Sequence, residues 1–584
     1  MRNDKRSFSS RLCEVLHLPE NWVDKLVWWK KTTIYQVYPR SYKDSSNNGI
    51  GDIPGIISKL DYLQDLGIET IWFSPFFASP QADHGYDISG YRSIAPEYGT
   101  MADCNRLIEE IHSRDMRIVL DMVLNHTSNQ HPWFLESRSS RENQKRDWYI
   151  WCDGRKPGGK KPPNNWLSMV GGSGWHYDDL TEQWYWAQFL PFQPDLNYRN
   201  PKVKEEMFDT VRYWLDKGID GFRLDIINTI YEGTDVGKNN PFALQFLPSE
   251  DNRRSFFQDH VHTINHPDNF VFVKELRKVM NEFSDPERFL VGEVGASLET
   301  LRRYYGEAEG NATNGLHLTF HLQSLNARLD AQAFRNLISR YEQHFPEPYI
   351  PTWVFSNHDQ TRRISKLSND QSKAKLNATL QLTARGVPFI YYGEEIGLVN
   401  SKFPLKGAQD PVAVRFSWLP QFFVNLLTRN GSVLLNRDEC RTPMQWDSSS
   451  HAGFCPAEVE PWLPVGPQHE TINVRAEEPN PDSLLNCYKA LLRLRRDTPA
   501  LHSGSMNLVE PSANKKELLV YERKYDHQSV EVWLNFSRKQ IENRTPGNYD
   551  RVLFSTLRGS RPIHSSTITL QPYQGVVLEK QKTA

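Results

Sequence analysis

Of 584 residues only six are cysteine (Cys13, Cys104, Cys152, Cys440, Cys455 and Cys487), and no two form a Cys-x-x-Cys pair. Such a scatter excludes a disulfide frame and a zinc site and reads as free thiols in a reducing cytosol. Long apolar runs are missing too. None approaches the roughly 18 residues that a bilayer span needs, so no membrane is expected as a partner. The opening Met-Arg-Asn-Asp-Lys-Arg-Ser-Phe lacks the apolar stretch of a secretory signal, and the expected location is cytoplasmic. A formal net charge of -2 lacks the basic excess of a nucleic-acid surface. There is no internal repeat and no low-complexity segment.

What is present is ordinary globular composition, 38% hydrophobic and 24% charged, on a length beyond what one core usually supports. Two or three domains are expected. One unit recurs along the chain. Ile56, Ile57, Leu60, Leu63 and Leu66 repeat at helical spacing, Gly67 ends the helix, and a strand follows over 68–74. Further on, Asn200 caps a helix with Pro201 at its first position. Val203, Met207, Val211, Trp214 and Leu215 share one face, Gly218 ends the helix, and 219–225 reads as a strand. Other strands are expected at 33–38, 117–124, 288–293, 316–320, 352–355 and 388–392. Eight strands alternating with helices imply an α/β chain folded as a (β/α)8 TIM barrel.

The third connection, 126–198, is rich in Trp, Gly, Pro and Asn. It is too long for a plain loop, so a subdomain inserted after strand 3 is expected. A second insertion, 398–446, follows strand 8. Past 504 the pattern changes to short strands at 517–521, 530–535, 567–570 and 575–578, a C-terminal antiparallel β domain. The expected divisions are an N-terminal extension with a short helix (1–27), the first part of the barrel (28–125), the inserted subdomain (126–198), the barrel remainder (199–504) and the β domain (505–584).

Three carboxylates end apolar, strand-like runs: Asp225 in Gly-Phe-Arg-Leu-Asp, Glu293 in Phe-Leu-Val-Gly-Glu-Val and Asp359 in Phe-Ser-Asn-His-Asp. An acid at the end of a buried strand is costly unless it sits at an open face with work to do, and the carboxyl ends of barrel strands are such a face.

With Asp121-Met-Val-Leu-Asn-His126 and Asn357-His-Asp359, these segments resemble the four signature regions of the α-amylase family, glycoside hydrolase family 13. Gln193-Pro-Asp-Leu-Asn197 and Gly386-Val-Pro-Phe-Ile-Tyr-Tyr-Gly-Glu394 fit as auxiliary stretches. Gln36-Val-Tyr-Pro-Arg-Ser41 and Arg441-Thr-Pro-Met-Gln-Trp446 are similar to the oligo-1,6-glucosidase and α-glucosidase subgroup, and the resemblance runs over about 28–580. It implies a retaining enzyme that removes single glucose units from the non-reducing end of short α-glucosides. Asp225 would be the nucleophile, Glu293 the general acid/base, and Asp359 the third acid, which binds hydroxyls and favours ring distortion. His126 and His358 would contact the glucose. Asp83 and Tyr86 would hold its terminal end, with the Tyr86 ring stacked on it, and Arg441 would bind substrate or pair with an acid nearby. Asp121 and Asn125 match either supports or direct contacts, and Arg362 a subsite position.

The residues themselves agree with that division of labour. Arg223 lies two positions before Asp225 on one strand, so both side chains point the same way, and an adjacent guanidinium is expected to keep Asp225 ionised. Glu293 is flanked by Val291, Gly292 and Val294 with no neighbouring cation, a setting expected to raise its pKa as a proton donor requires.

Asp44, Ser46, Asn48, the carbonyl of Ile50 and Asp52 place oxygens at alternate positions, as a hard cation prefers. The stretch resembles the subgroup's calcium loop, with Ser46 where Asn is usual and Asn48 where Asp is usual. It is no EF-hand, because Gly55 stands at the twelfth position. A weak structural Ca²⁺ (or Mg²⁺) site is expected, and no organic cofactor. The residue after the nucleophile is Ile226. In the subgroup Val there resembles the α-1,6-cleaving enzymes and Ala or Thr the α-1,4 enzymes. A branched Ile beside the nucleophile narrows the first acceptor subsite and leans the reading to α-1,6 linkages. Sucrose isomerase, trehalose synthase and transglucosidase readings stay open. A non-catalytic transporter heavy chain is disfavoured, since all three acids are present and a membrane span is not. Partners beyond a small oligosaccharide or disaccharide are not expected, in a monomer or homodimer.

Overall fold

The structure, a computed structural model, describes residues 27–581 apart from 156–158, 247, 249–252, 311, 429–433, 546–547, 561 and 565–566. The expected N-terminal extension, save its last residue, and Cys13 lie outside the described residues.

Eight parallel strands form the central sheet: β1 (Ile34–Val37), β2 (Thr70–Phe73), β3 (Arg117–Met122), β4 (Gly221–Leu224), β5 (Phe289–Gly292), β6 (Leu318–Thr319), β7 (Thr352–Val354) and β8 (Val387–Tyr391). Their order, β6-β5-β4-β3-β2-β1-β8-β7, follows the chain around a nearly closed barrel. Every barrel strand expected from the sequence is present at its core, most with shorter ends, while β8 begins one residue earlier, at Val387. At the β6–β7 seam side chains stand in for the ladder. Thr352 Oγ1 accepts from the His321 amide at 2.9 Å and donates to the Thr319 carbonyl at 2.9 Å, and Ser324 Oγ donates to Val354 O at 2.7 Å.

The helix Pro201–Asp216 forms as its sequence dictates. Asn200 accepts from the Lys202 amide, and Val203, Met207, Val211, Trp214 and Leu215 are all buried. Each such side chain contributes about 1.5–3 kcal/mol on burial. Gly218 then takes φ 98, a left-handed turn that glycine adopts without a Cβ clash. The 56–66 periodicity is instead divided between two helices, Ile53–Ile57 and Leu60–Leu66. Ser58 Oγ donates to Gly55 O at 2.6 Å, and the Lys59 amide turns to Ile56 O at 2.9 Å. The tighter i→i−3 bond breaks the ladder there.

Between β3 and Pro201 lies a small three-stranded sheet of Trp151–Cys152, Gln183–Trp186 and Trp175–Asp178, packed with Trp166 in an indole cluster. Past residue 504 a five-stranded and a three-stranded antiparallel sheet enclose Leu518, Val520, Trp533, Ile568 and Leu578, while Leu519, Tyr521, Val532 and Leu534 of the same strands join the barrel's core. Both faces of strands Leu518–Tyr525 and Gln528–Asn535 are therefore covered. Among the described residues no helix is long and apolar enough to cross a membrane.

Candidate active site

Arg223 stands opposite Asp121 of β3 and Val291 of β5 in register. Its side chain therefore enters the barrel mouth between the ends of both neighbouring strands, and it is fully buried. Nη1 donates to Asp121 Oδ1 at 2.7 Å and to Asp225 Oδ1 at 2.6 Å, and Nη2 donates to Glu293 Oε2. One guanidinium thus brings both carboxyls to one place, and a retaining glycosidase needs its nucleophile and its acid/base close together, about 5–5.5 Å apart.

The expectation that Glu293 has no cation beside it is corrected here. Its sequence neighbours carry none, but Arg223 reaches it from the adjacent strand, 70 residues away. The expectation that Arg223 by itself keeps Asp225 ionised is corrected as well. Burial pushes both Asp225 and Glu293 up to about 7, with Arg223 opposing it. Burial likewise pushes Asp121 up to about 6 against Arg223. Three acids around one cation carry excess negative charge in a buried place, and taking up a proton relieves it.

Asp359, in the loop after β7, is in the opposite setting. Burial would raise its pKa, but His358, Arg437 and Arg441 outweigh it and hold the carboxyl well below the usual range. Arg441 Nη2 lies 2.8 Å and Arg437 Nη1 3.2 Å from Asp359 Oδ1, and His358 Nε2 lies 3.1 Å from Oδ2. The mouth of the barrel thus joins two carboxyls whose pKa burial raises towards neutrality to a third that stays ionised.

The other named residues line the same space. Asp83 Oδ1 accepts from Arg437 Nη2 at 2.7 Å and Oδ2 from Gln193 of the inserted subdomain at 3.1 Å. Tyr86 OH pairs with His358 Nε2 at 2.6 Å, and the rings stack at 5.3 Å with 2° between their planes, so His358 occupies one face of Tyr86. His126 is buried, with its pKa pushed down to about 4 by that burial, and stands by the Tyr86 carbonyl and the ring of Phe189. Arg441 is a salt-bridge partner of Asp359 whose Nε also binds the His358 carbonyl at 2.8 Å. Asp121 is a support, accepting from Arg223, Trp72 and Tyr86. Asn125 Oδ1 accepts from Thr229. Ile226 is half-buried and left-handed, at φ 37 and ψ 44, which is a strained state for a β-branched residue. Arg362 is buried at the carboxyl end of β8, donating to Tyr392 O at 2.7 Å and lying over the rings of Tyr391 and Tyr392.

Four participants escaped the sequence reading as site residues. Gln36 Nε2 meets His358 Nδ1 at 2.8 Å and fixes the ring. Arg437 joins Asp83 to Asp359, and its only sequence signal is a position one short helical turn before Arg441. Glu232 and Asp195 form a buried pair of acids, both raised first by burial, with Asp195 pushed up to about 7.

In the 44–52 loop, Asp44 and Asp52 are buried, and among the described residues neither has an ion-pair partner. Asp44 accepts the amides of Asn47 and Gly49, and Asp52 those of Ser45, Ser46 and Gly55. Two buried, unneutralised carboxylates in one turn fit a hard cation's donor set, although no group of three or more His, Cys, Asp or Glu gathers among the described residues. Asp44, Ser46, Asn48, Ile50 and Asp52 are the residues that would hold it.

A model of the alpha amylase catalytic domain matches residues 36–504. The chain is 39% identical over 534 residues to a probable alpha-glucosidase of Rhizobium meliloti, covering 89% of this chain and 91% of that protein. It is 38% identical over 530 residues to an oligo-1,6-glucosidase of Halalkalibacterium halodurans, covering 87% and 90%. The solved structure of an alpha-glucosyl transfer enzyme is similar at a TM-score of 0.83 and 34% identity, over 95% of this chain and 100% of its own. With that model spanning most of its length, and an acid-lined mouth of the kind described, the chain belongs to the α-amylase family, glycoside hydrolase family 13.

Proposed function

We propose that the protein is a retaining, exo-acting α-glucosidase that releases glucose from the non-reducing end of short α-glucosides, with a lean to α-1,6 linkages. The observation that carries this reading is the pair Asp225 and Glu293 held on one guanidinium, Arg223. Asp225 attacks the anomeric carbon, and Glu293 gives its proton to the departing oxygen. Glu293 then takes a proton from the water that releases the sugar. Asp359, kept ionised by Arg437 and Arg441, binds sugar hydroxyls and favours the flattened ring. Asp83, Tyr86, His126 and His358 close the pocket around one glucose, and a closed end makes the cut exo. Ile226, strained beside the nucleophile, narrows the acceptor side and supports the α-1,6 lean. Similarity to an oligo-1,6-glucosidase supports it too.

Release of glucose from p-nitrophenyl α-glucoside, abolished in Asp225→Ala, tests the activity. A product profile on maltose, isomaltose, sucrose and trehalose tests the linkage, and hydrolysis of maltose alone would remove the α-1,6 lean. A second reading, transfer of the glucosyl group to a sugar, is favoured by likeness to the alpha-glucosyl transfer enzyme. Products longer than the substrate would establish it.

We also infer a weak structural Ca²⁺ (or Mg²⁺) at the 44–52 loop. A cytoplasmic setting is supported by five described cysteines that are all free thiols. A monomer or homodimer in solution is the oligomeric state to test by light scattering.

A further inference from the structure

Asp410 lies outside the barrel strands, in the insertion after β8, and it is fully buried. It caps the helix Pro411–Arg415, with Oδ1 accepting from the Val412 amide at 3.0 Å. Its larger task is Arg437. Oδ1 accepts from Arg437 Nε at 3.0 Å and from Nη2 at 2.8 Å, and Oδ2 accepts from the Arg437 amide at 2.7 Å. Asp410 itself is held in place by Asp438, whose Oδ2 accepts from the amides of Gln409 and Asp410. The donors of Arg437 not spent on Asp410 go to Asp83 and Asp359, the two acids assigned to holding the glucose. Three carboxylates thus share one guanidinium, and a fully ordered donor fork distributes itself among them.

We propose that Asp410 is a positioning residue for the reaction: it draws the Nε side of Arg437 away from the pocket, so that Asp83 and Asp359 are bridged without having their sugar-binding oxygens covered. Asp410 itself does not reach the sugar. Without its charge, Arg437 has only Asp83 and Asp359 to neutralise it and settles onto them, competing with the glucose hydroxyls. The insertion after β8 is then part of the glucose pocket's support. This inference rests on reading the Asp83–Asp359 pocket as the glucose site.

Asp410→Asn tests it, because Asn keeps the size and the cap to Val412 but not the charge. A glucose-pocket defect lowers kcat/KM by about 10- to 100-fold, equally for p-nitrophenyl α-glucoside and for a disaccharide, and weakens 1-deoxynojirimycin, which fills only the glucose pocket, by a comparable factor. The melting temperature stays near that of the wild type. In an Arg437→Lys background the same change adds little, since the two residues act as one unit. Unaltered kinetics, a loss confined to the disaccharide, or a loss that tracks the unfolded fraction would overturn the proposal. If Asp410→Asn does not fold, Asp410→Glu is compared with Asp410→Gln. The charged variant is expected to retain the greater activity and tighter iminosugar binding, and equality sinks the idea. Wild-type protein inert on every α-glucoside would sink the functional reading itself, whereas normal wild-type activity with an indifferent Asp410→Asn sinks only the positioning role.

Discussion

Arg223 Nη1 donates to Asp121 Oδ1 at 2.7 Å, across a β3–β4 register that sets the two residues side by side. Asp121 is buried below the reacting acids and is spoken for by Trp72 and Tyr86 as well. Its influence on the chemistry is therefore exerted through Arg223 and through its charge.

That charge raises the pKa of Asp225, after burial itself. Asp121→Asn removes it and frees Arg223 for Asp225 and Glu293. Both changes favour the ionised nucleophile, so the acid limb of the kcat/KM profile should move to lower pH. Loss of the anchor also lets Arg223 shift, and kcat should fall about tenfold. A pH profile that superimposes on the wild type after scaling would refute the electrostatic part.

Glu293 allows a test by stability. Its folded pKa, pushed up to about 7, exceeds the unfolded value of about 4.3. For an acid raised on folding, its contribution is fully present below the unfolded value and is lost as pH rises through 7. Glu293→Gln removes that loss while leaving Arg223 paired with Asp121 and Asp225. The inactive variant should gain about 1–3 kcal/mol more at pH 8 than at pH 5. Thermal unfolding at the two pH values decides it; an equal change at both would mean the carboxyl is not titrating in the fold.

The barrel was legible because each strand is a short apolar run after a helix stop, and a parallel strand buried on both faces needs nothing more. The three acids were legible because they end such runs. What sequence neighbours could not reveal was contact across strands. Glu293 looked cation-free because Arg223 belongs to β4, and Arg437 was passed over because its partners Asp83 and Asp359 lie on two distant loops. The surroundings of Arg362 were hidden for the same reason, since its guanidinium packs on Tyr391 and Tyr392 at the end of β8, about 30 residues along the chain. The broken 56–66 helix failed through a single hydroxyl, Ser58, competing for a backbone carbonyl.

The 44–52 loop yields a prediction about metal. Asp44 and Asp52 are buried without an ion pair among the described residues, and Asn48, where Asp is usual, leaves the loop one negative charge fewer. Affinity should resemble that of weak sites, with Kd on the order of 10⁻⁴–10⁻³ M. Millimolar Ca²⁺ should then raise the melting temperature and EDTA reverse it, by mass action on the folded state. Asn48→Asp, which restores a carboxylate, should enlarge the response. Melting curves indifferent to both additions, in wild type and in Asn48→Asp alike, would leave the loop as a self-bonded turn.

Ile226 makes the last prediction, on strain and specificity together. A β-branched residue at φ 37 costs on the order of 1–3 kcal/mol, and the strain persists because the neighbouring Thr229 amide and hydroxyl both bind the Ile226 carbonyl, at 3.1 and 2.8 Å. Ile226→Gly relieves the backbone but adds unfolded-state freedom of about 1 kcal/mol, so the net change in stability should be small. Removing so large a half-buried side chain would otherwise destabilise clearly. Ile226→Ala and Ile226→Gly both open the acceptor side, and the ratio of kcat/KM for maltose over isomaltose should rise in each by about 10-fold or more, the scale of a few methylenes in a pocket. The two measurements separate the roles. A large loss of melting temperature in Ile226→Gly would show that packing, and not backbone strain, governs this position, while an unmoved linkage ratio would show that Ile226 does not shape the acceptor site.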